Sequence, residues 1–236
     1  MSILTTHVGS LPRPKNVSDL LFKRENNEVY EQKYFDEVIS NGVYEVVKKQ
    51  IDIGIDIISD GEMSKISYAT YVKDRYNGFA GDSERNPPLD LEKFPNYMKK
   101  IADSGGTPTY SRPCCVSEIT SKHNNDLSND ITNLLSASKK LEHENVFMNS
   151  ASPGVISLFL SNSYYPSRND YMDAISKAMR DEYETIVRSG IKLQLDCPDL
   201  ALSRHMTFKS KSDEDFIKIA YQNMEILNQT LNNISP

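Results

Sequence analysis

Three apolar runs in this chain each end in groups that can do chemistry: Thr5-Thr6-His7 with Gly9-Ser10 just beyond, Ser59-Asp60-Gly61-Glu62, and Gln194-Leu195-Asp196. In a parallel βα barrel the carboxyl ends of the strands open on one face, so residues distant in sequence converge there on a ligand. Glu62 and Asp196 are then two carboxylates placed to hold an amine. Plainer readings stand beside this one. Asp60 before Gly61 suits a turn, and Asp196 before Cys197-Pro198 suits the cap of a following segment. His7, with no partner at metal spacing, suits a hydrogen-bonded core or loop histidine. His123, His143 and His205 lie in polar stretches and read as surface residues, and Tyr164-Tyr165-Pro166 reads as packing, with substrate stacking as the alternative.

The elements that would position these groups alternate in type. Residues 3–8 read as a strand, residues 36–50 as a helix with Phe35, Ile39, Val43 and Val47 at helical spacing, and residues 55–60 as a strand after the break at Gly54. Tyr171, Ile175, Met179, Tyr183 and Val187 form one stripe at i, i+4 spacing, ended by Gly190 at the C′ position, and a strand follows over residues 191–196. Ser212 with Asp215 three residues on predicts the start of a last helix carrying Phe216, Ile219, Met224 and Leu227. Residues 113–119 and 146–150 read as two further strands. Residues 75–110 hold several prolines and glycines and predict a long excursion over the strand ends, with one short helix near residues 97–103. This rhythm is that of βα units on a parallel sheet. With no internal repeat, low-complexity tract or Gly/Ser linker, one domain over residues 1–236 is expected.

Bulk properties exclude several classes. The chain has 236 residues with 27 Lys and Arg against 33 Asp and Glu, a formal charge of −6, and its cations are scattered. Nucleic acid is therefore not an expected partner, because phosphate binding needs a clustered basic surface. No apolar stretch approaches the ~20 residues of a membrane span, and the first residues lack the basic and apolar regions of a secretory signal. Cys114, Cys115 and Cys197 are an odd number with no framework spacing, which fits a reducing compartment and core packing. A cytoplasmic protein without membrane or nucleic-acid partners is expected.

Five segments together resemble the catalytic barrel of the cobalamin-independent methionine synthase family, in particular its short single-barrel relatives. They are Thr5-Thr6-His7-Val8-Gly9-Ser10-Leu11-Pro12-Arg13-Pro14, Ile57-Ile58-Ser59-Asp60-Gly61-Glu62-Met63, Met148-Asn149-Ser150-Ala151-Ser152-Pro153-Gly154, Ala178-Met179-Arg180-Asp181-Glu182-Tyr183, and Gln194-Leu195-Asp196-Cys197-Pro198-Asp199-Leu200-Ala201. Each alone is weak, but they occur in the family's order across nearly the whole chain.

The resemblance implies a TIM (β/α)8-type barrel and an S-methyltransferase that moves a methyl group from methyltetrahydrofolate to homocysteine, giving methionine. It implies zinc, which converts the acceptor thiol to the attacking thiolate. By the family pattern, Ser10 and the backbone beside Val8 would hold the homocysteine carboxylate, Glu62 and Asp196 would hold its ammonium, and Ser152 would line the other side of the pocket. The family's zinc ligands, a His-x-Cys pair, a Glu and a last Cys, do not occur here, and they are expected beyond Pro236. A full barrel has eight strands in ~250 residues, whereas about five are read here, so an incomplete barrel, truncated at its carboxyl end, is expected. Cys197, where relatives often carry an acid, is a weak substitute ligand because a lone thiolate cannot build a closed site. Open sheet edges would favour self-association or a completing chain. Alternatives are an inactive fragment, an amino-acid- or folate-binding module, or a relative using a corrinoid methyl donor or an epoxide with a small thiol. The pair Glu62 and Asp196 favours an amino-acid acceptor.

Overall fold

Apolar stripes at helical spacing and side-chain caps set most of the elements in the computed structural model, which describes residues 3–83, 89–103 and 112–234. In chain order these are α1 (Lys15–Glu25), α2 (Gln32–Asp52), α3 (Val72–Arg75), β1 (Phe79–Ala80), α4 (Leu89–Glu92), α5 (Pro95–Asp103), β2 (Cys114–Cys115), α6 (Asp126–Lys140), β3 (Phe147–Ala151), α7 (Pro153–Phe159), α8 (Arg168–Arg188), β4 (Lys192–Asp196) and α9 (Asp213–Thr230). Gly190, with φ +80°, ends the segment after α8 as its position predicts, because a left-handed residue there costs glycine nothing. Ser212 caps α9 by accepting the Asp215 N–H at 3.1 Å. The stripe expected on α9 is only partly covered, since Met224 is 39% exposed while the buried positions are Asn223 and Thr230.

The chain divides into two compact units. The first contains Met1–Arg75, Ser121–Ser150 and Asp181–Leu195. Here extended segments lie side by side in chain order. Ile57 N–H donates to the Thr5 carbonyl at 3.0 Å, Ile58 N–H to the Asn145 carbonyl at 3.0 Å, Phe147 N–H to the Ile58 carbonyl at 2.9 Å and Lys192 N–H to the Val146 carbonyl at 3.2 Å. Ile58 and Val146 form a parallel bridge, and β3 pairs with β4. Helices α1, α2 and α6 bury Val17, Leu21, Ile39, Val43, Val47 and Leu134 in one apolar cluster with Ile58, Val146 and Met148. At roughly 1.5–3 kcal/mol for each fully buried aliphatic side chain, this cluster is what holds the extended segments in place.

The second unit contains Tyr76–Thr120, Ala151–Arg180 and Asp196–Pro236. In it α7, the 3-10 turn Pro198–Leu200 and α9 pack on one another. No described helix is long and apolar enough to cross a membrane.

Three strand expectations need correction. Residues 3–8 and 55–60 are not strands, because their ladder bonds are too few; Ile58 contributes a single bridge. Residues 113–119 yield only the two-residue β2, which pairs antiparallel with β1 (Phe79 opposite Cys115, Ala80 opposite Cys114) and not with the parallel array. The run Pro113-Cys114-Cys115-Val116 is apolar enough for a core strand, but its partner is the distant segment at Phe79, inside the excursion. The expected excursion over residues 75–110 is therefore tied, through β1, to β2 just beyond its end. Its residues 84–88 and 104–110 lie outside the described residues.

Candidate functional site

The Ser59–Glu62 turn follows the Ile58 bridge directly, and its backbone is pinned from several sides within the first unit. Gln50, 3% exposed on α2, donates through Nε2 to the Ser59 carbonyl at 2.8 Å and accepts the Ser59 N–H at 3.0 Å. Ser59 Oγ accepts the Gly61 N–H at 3.0 Å, and Asp60 Oδ1 accepts the Glu62 N–H at 3.0 Å. The turn reading of Asp60 is thus the observed one. Gly61 at φ +62° and Glu62 at φ +57° are both left-handed. For glutamate this conformation costs roughly 1–2 kcal/mol, and such strain persists where the surroundings over-determine it, often at functional sites.

The Glu62 side chain is 3% exposed. Asn149 on β3 donates through Nδ2 to Glu62 Oε1 at 2.8 Å, and the ammonium of Lys65 donates to the Asn149 backbone carbonyl at 2.6 Å. The amino-terminal motif docks against the same turn. Leu11 N–H donates to the Gly61 carbonyl at 3.1 Å, while Arg13 Nη2 donates to the carbonyls of Glu62 at 2.9 Å and Lys65 at 2.6 Å. Ser10, one residue before Leu11, is exposed beside this turn, and Val8 is 81% exposed. The first unit brings together, through Leu11 and Arg13, the segments of Val8, Ser10 and Glu62 that the family pattern singles out. His7 is packed: its Nε2 lies 3.4 Å from Ser59 Oγ, its ring centroid 5.8 Å from that of Phe147, and burial lowers its pKa.

Beneath the turn lies a buried charged network that the motifs did not reveal. Arg75 bridges Glu182 at 2.6 Å and Asp130 at 2.5 Å, and Tyr71 and Ser150 hydroxyls donate to Glu182 Oε1 at 2.5 and 2.6 Å. Burial is the largest influence on each member. For Asp130 it outweighs Arg75 and pushes the carboxyl up to about 6, whereas for Glu182 the opposing Arg75 and Lys65 charges win and hold it below the usual range. For Arg75 burial acts downward, but its two carboxylates together outweigh it and raise the guanidinium above its ordinary value. The sequence did contain a signal: Glu182 continues the buried positions Ile175 and Met179 toward Ile186, and a carboxylate inside an apolar stripe needs a cation.

Asp196 and Ser152 belong to the second unit. Ser152 N–H donates to the Asp196 carbonyl at 3.1 Å, its Oγ accepts the Val155 N–H at 3.1 Å as the cap of α7 and donates to Asp199 Oδ1 at 2.8 Å. Asn223 Nδ2 donates to the other Asp199 oxygen at 2.9 Å. Ser152 is thereby committed to holding α7 and the buried Asp199. Burial pushes the Cys197 thiol up, away from the thiolate that a metal would need. Among the described residues no group of three or more His, Cys, Asp or Glu side chains could hold a metal ion.

The class that fold and site define is an α/β protein whose extended segments run in chain order and deliver a buried carboxylate on a strained turn. Residues 3–86 match the family described as the cobalamin-independent synthase catalytic domain. Methionine synthase of Sulfolobus acidocaldarius is 27% identical over 196 residues, 82% of this chain and 51% of that protein. Methionine synthase of Saccharolobus solfataricus is 25% identical over 197 residues, covering 83% and 53%. A B12-independent methionine synthase from Shewanella sp. W3-18-1, solved in complex with selenomethionine, superposes with a TM-score of 0.66 at 16% identity over 98% of this chain and 58% of that one. The chain resembles the cobalamin-independent methionine synthase family, as its five motifs predict, and it spans about half the length of the relatives it matches.

Proposed function

We propose that this chain supplies the acceptor site of an S-methyltransferase of the methionine synthase type, with homocysteine as acceptor and a methylated tetrahydrofolate as donor, in a cytoplasmic setting. In this reading residues 1–236 belong to one (β/α)8-type barrel domain. The pairing of residues 5, 57–58, 145–147 and 192 in chain order supports that reading, since barrel strands are laid down in this order.

The observation that carries the proposal is the Glu62 turn: a buried carboxylate on two consecutive left-handed residues, pinned by Gln50, Arg13 and Asn149. Glu62 holds the acceptor's ammonium, while Ser10 and the backbone near Val8 hold the acceptor's carboxylate. In the reaction the sulfur lone pair forms the S–CH3 bond as the N–CH3 bond of the donor breaks; the thiol proton is lost and the donor nitrogen takes up a proton. Orientation by these contacts is the chain's own contribution, and correct placement of two reactants is worth several kcal/mol of barrier. The described residues do not fit the zinc that the family likeness implies, so no step is routed through it.

The test is methionine formation from homocysteine and radiolabelled methyltetrahydropteroyltriglutamate. Labelled methionine supports the transferase reading, and its absence together with absent homocysteine binding by calorimetry overturns it. Binding without transfer supports a second reading, an amino-acid-binding module.

A further inference from the structure

We propose that Arg13 is a positioning residue that fixes the spacing between the Ser10 and Glu62 halves of the acceptor site and so selects an α-amino acid; this rests on the reading of Ser10 and Glu62 given above. The two halves come from segments far apart in sequence, and the tie between them lies within the first unit. Arg13 Nη2 donates to the Glu62 carbonyl at 2.9 Å and to the Lys65 carbonyl at 2.6 Å, across a turn that Lys65 N–H closes on the Glu62 carbonyl at 3.2 Å. Two residues before Arg13, Leu11 N–H donates to the Gly61 carbonyl at 3.1 Å. A β-carbon at Gly61 would stand 3.2 Å from Leu11 Cβ, so the two segments meet with no room for slack.

The strap that carries Arg13 is stiff. Leu11 and Arg13 each precede a proline, which favours extended geometry at both, and Pro14 at φ −57° leads directly into α1, whose Val17, Leu20 and Leu21 are buried in the core. Upstream, Thr5 N–H donates to Asp56 Oδ2 at 2.6 Å and Thr6 Oγ1 to the Ile57 carbonyl at 2.9 Å. The exposed residues Val8 and Ser10 therefore stand between two anchored ends, and Arg13 with Leu11 is the downstream anchor. An α-amino acid carries carboxylate and ammonium on one carbon, so a site of fixed spacing suits it. With one more methylene between those groups, a ligand keeps only one of the two contacts. Burial lowers the pKa of Arg13 against the opposing charges of Glu62 and Asp60, so placement and charge are to be tested apart.

The experiment is calorimetric titration of the full chain with homocysteine and with 3-amino-5-mercaptopentanoate, which has one methylene more between its carboxylate and its amine-bearing carbon. It uses wild type, Arg13→Met and Arg13→Lys, with folding checked by near-ultraviolet dichroism. Arg13→Lys keeps the positive charge but is one bond shorter and lacks the planar fork. Wild type is expected to prefer homocysteine by about tenfold to a hundredfold, the value of one charge-assisted contact. Each variant should lose most of that preference, because homocysteine then forfeits a contact that the longer ligand never made, while affinity for the longer ligand changes by less than about threefold. Loss of the preference in Arg13→Lys supports the proposal, whether or not Arg13→Met folds. A preference retained in Arg13→Lys, including equal losses for both ligands, overturns it while the reading of Ser10 and Glu62 stands; loss in Arg13→Met alone then assigns the effect to charge. Wild type that binds both ligands equally overturns the proposal alone, and wild type that binds neither overturns the reading of Ser10 and Glu62 with it.

Discussion

Replacing Arg75 with methionine keeps most of the side-chain volume and removes the one guanidinium that serves Glu182 at 2.6 Å and Asp130 at 2.5 Å. Their side chains are 0% and 5% exposed, so neither charge can turn to water. Breaking a buried ion pair by removing one partner costs about 3–5 kcal/mol. Glu182 keeps donors from Tyr71 and Ser150, which points to the middle of that range, about 4 kcal/mol, or roughly 10 °C in melting temperature for a chain of this size. The sign with pH follows from the same geometry. Without Arg75, burial acts unopposed and raises both folded-state carboxyl pKa values above those of the unfolded chain. The deficit is then full where both groups are ionised and shrinks as pH falls and protons neutralise them. Urea and thermal unfolding at pH 8 and 5.5, followed by tyrosine dichroism because the chain has no tryptophan, gives the answer. A deficit under about 1 kcal/mol, or one equal at both pH values, would refute the reasoning.

Other perturbations have equally definite outcomes. Asp130, pushed up to about 6 from 3.8, binds its proton more tightly folded than unfolded, so its contribution falls by about 3 kcal/mol as pH rises through that window; Asp130→Asn should gain on wild type between pH 4 and 7 in urea midpoints. Gly154→Ala puts a methyl 2.0 Å from Asp199 Oδ2, an oxygen already fixed by Asn223, and should destabilise by about 3 kcal/mol in urea unfolding. Gln50→Leu strands the Ser59 N–H and carbonyl, costing about 1–3 kcal/mol for each unpaired group, and should weaken homocysteine binding by loosening the Glu62 turn; unchanged affinity in calorimetry would separate the turn from the site.

What was legible in the sequence was local. The stripe Tyr171, Ile175, Met179 and Tyr183, the stop at Gly190 and the cap at Ser212 depend on residues within a few positions, and each appears as read. Asp60-Gly61-Glu62 reads as a turn for the same reason. Strand pairing is not local, and residues 113–119 show the consequence: an apolar run says that a segment is buried, but the choice of Phe79 as the partner of Cys115 depends on where the chain between them returns. The Asn149–Lys65 support of Glu62 spans 84 positions and carries no motif of its own. Glu182 was half legible, as a charge in an apolar stripe, but its partner Arg75, 107 positions away, was not.

The most direct measurement is homocysteine affinity in wild type and Glu62→Gln, by calorimetry at pH 7.5. The substitution keeps size and the left-handed turn while removing the negative charge. A loss of about tenfold or more is predicted, as expected when one partner of a buried charge-assisted contact is neutralised. Affinity unchanged within about twofold would show that Glu62 does not hold the acceptor's ammonium, and the functional account would fail.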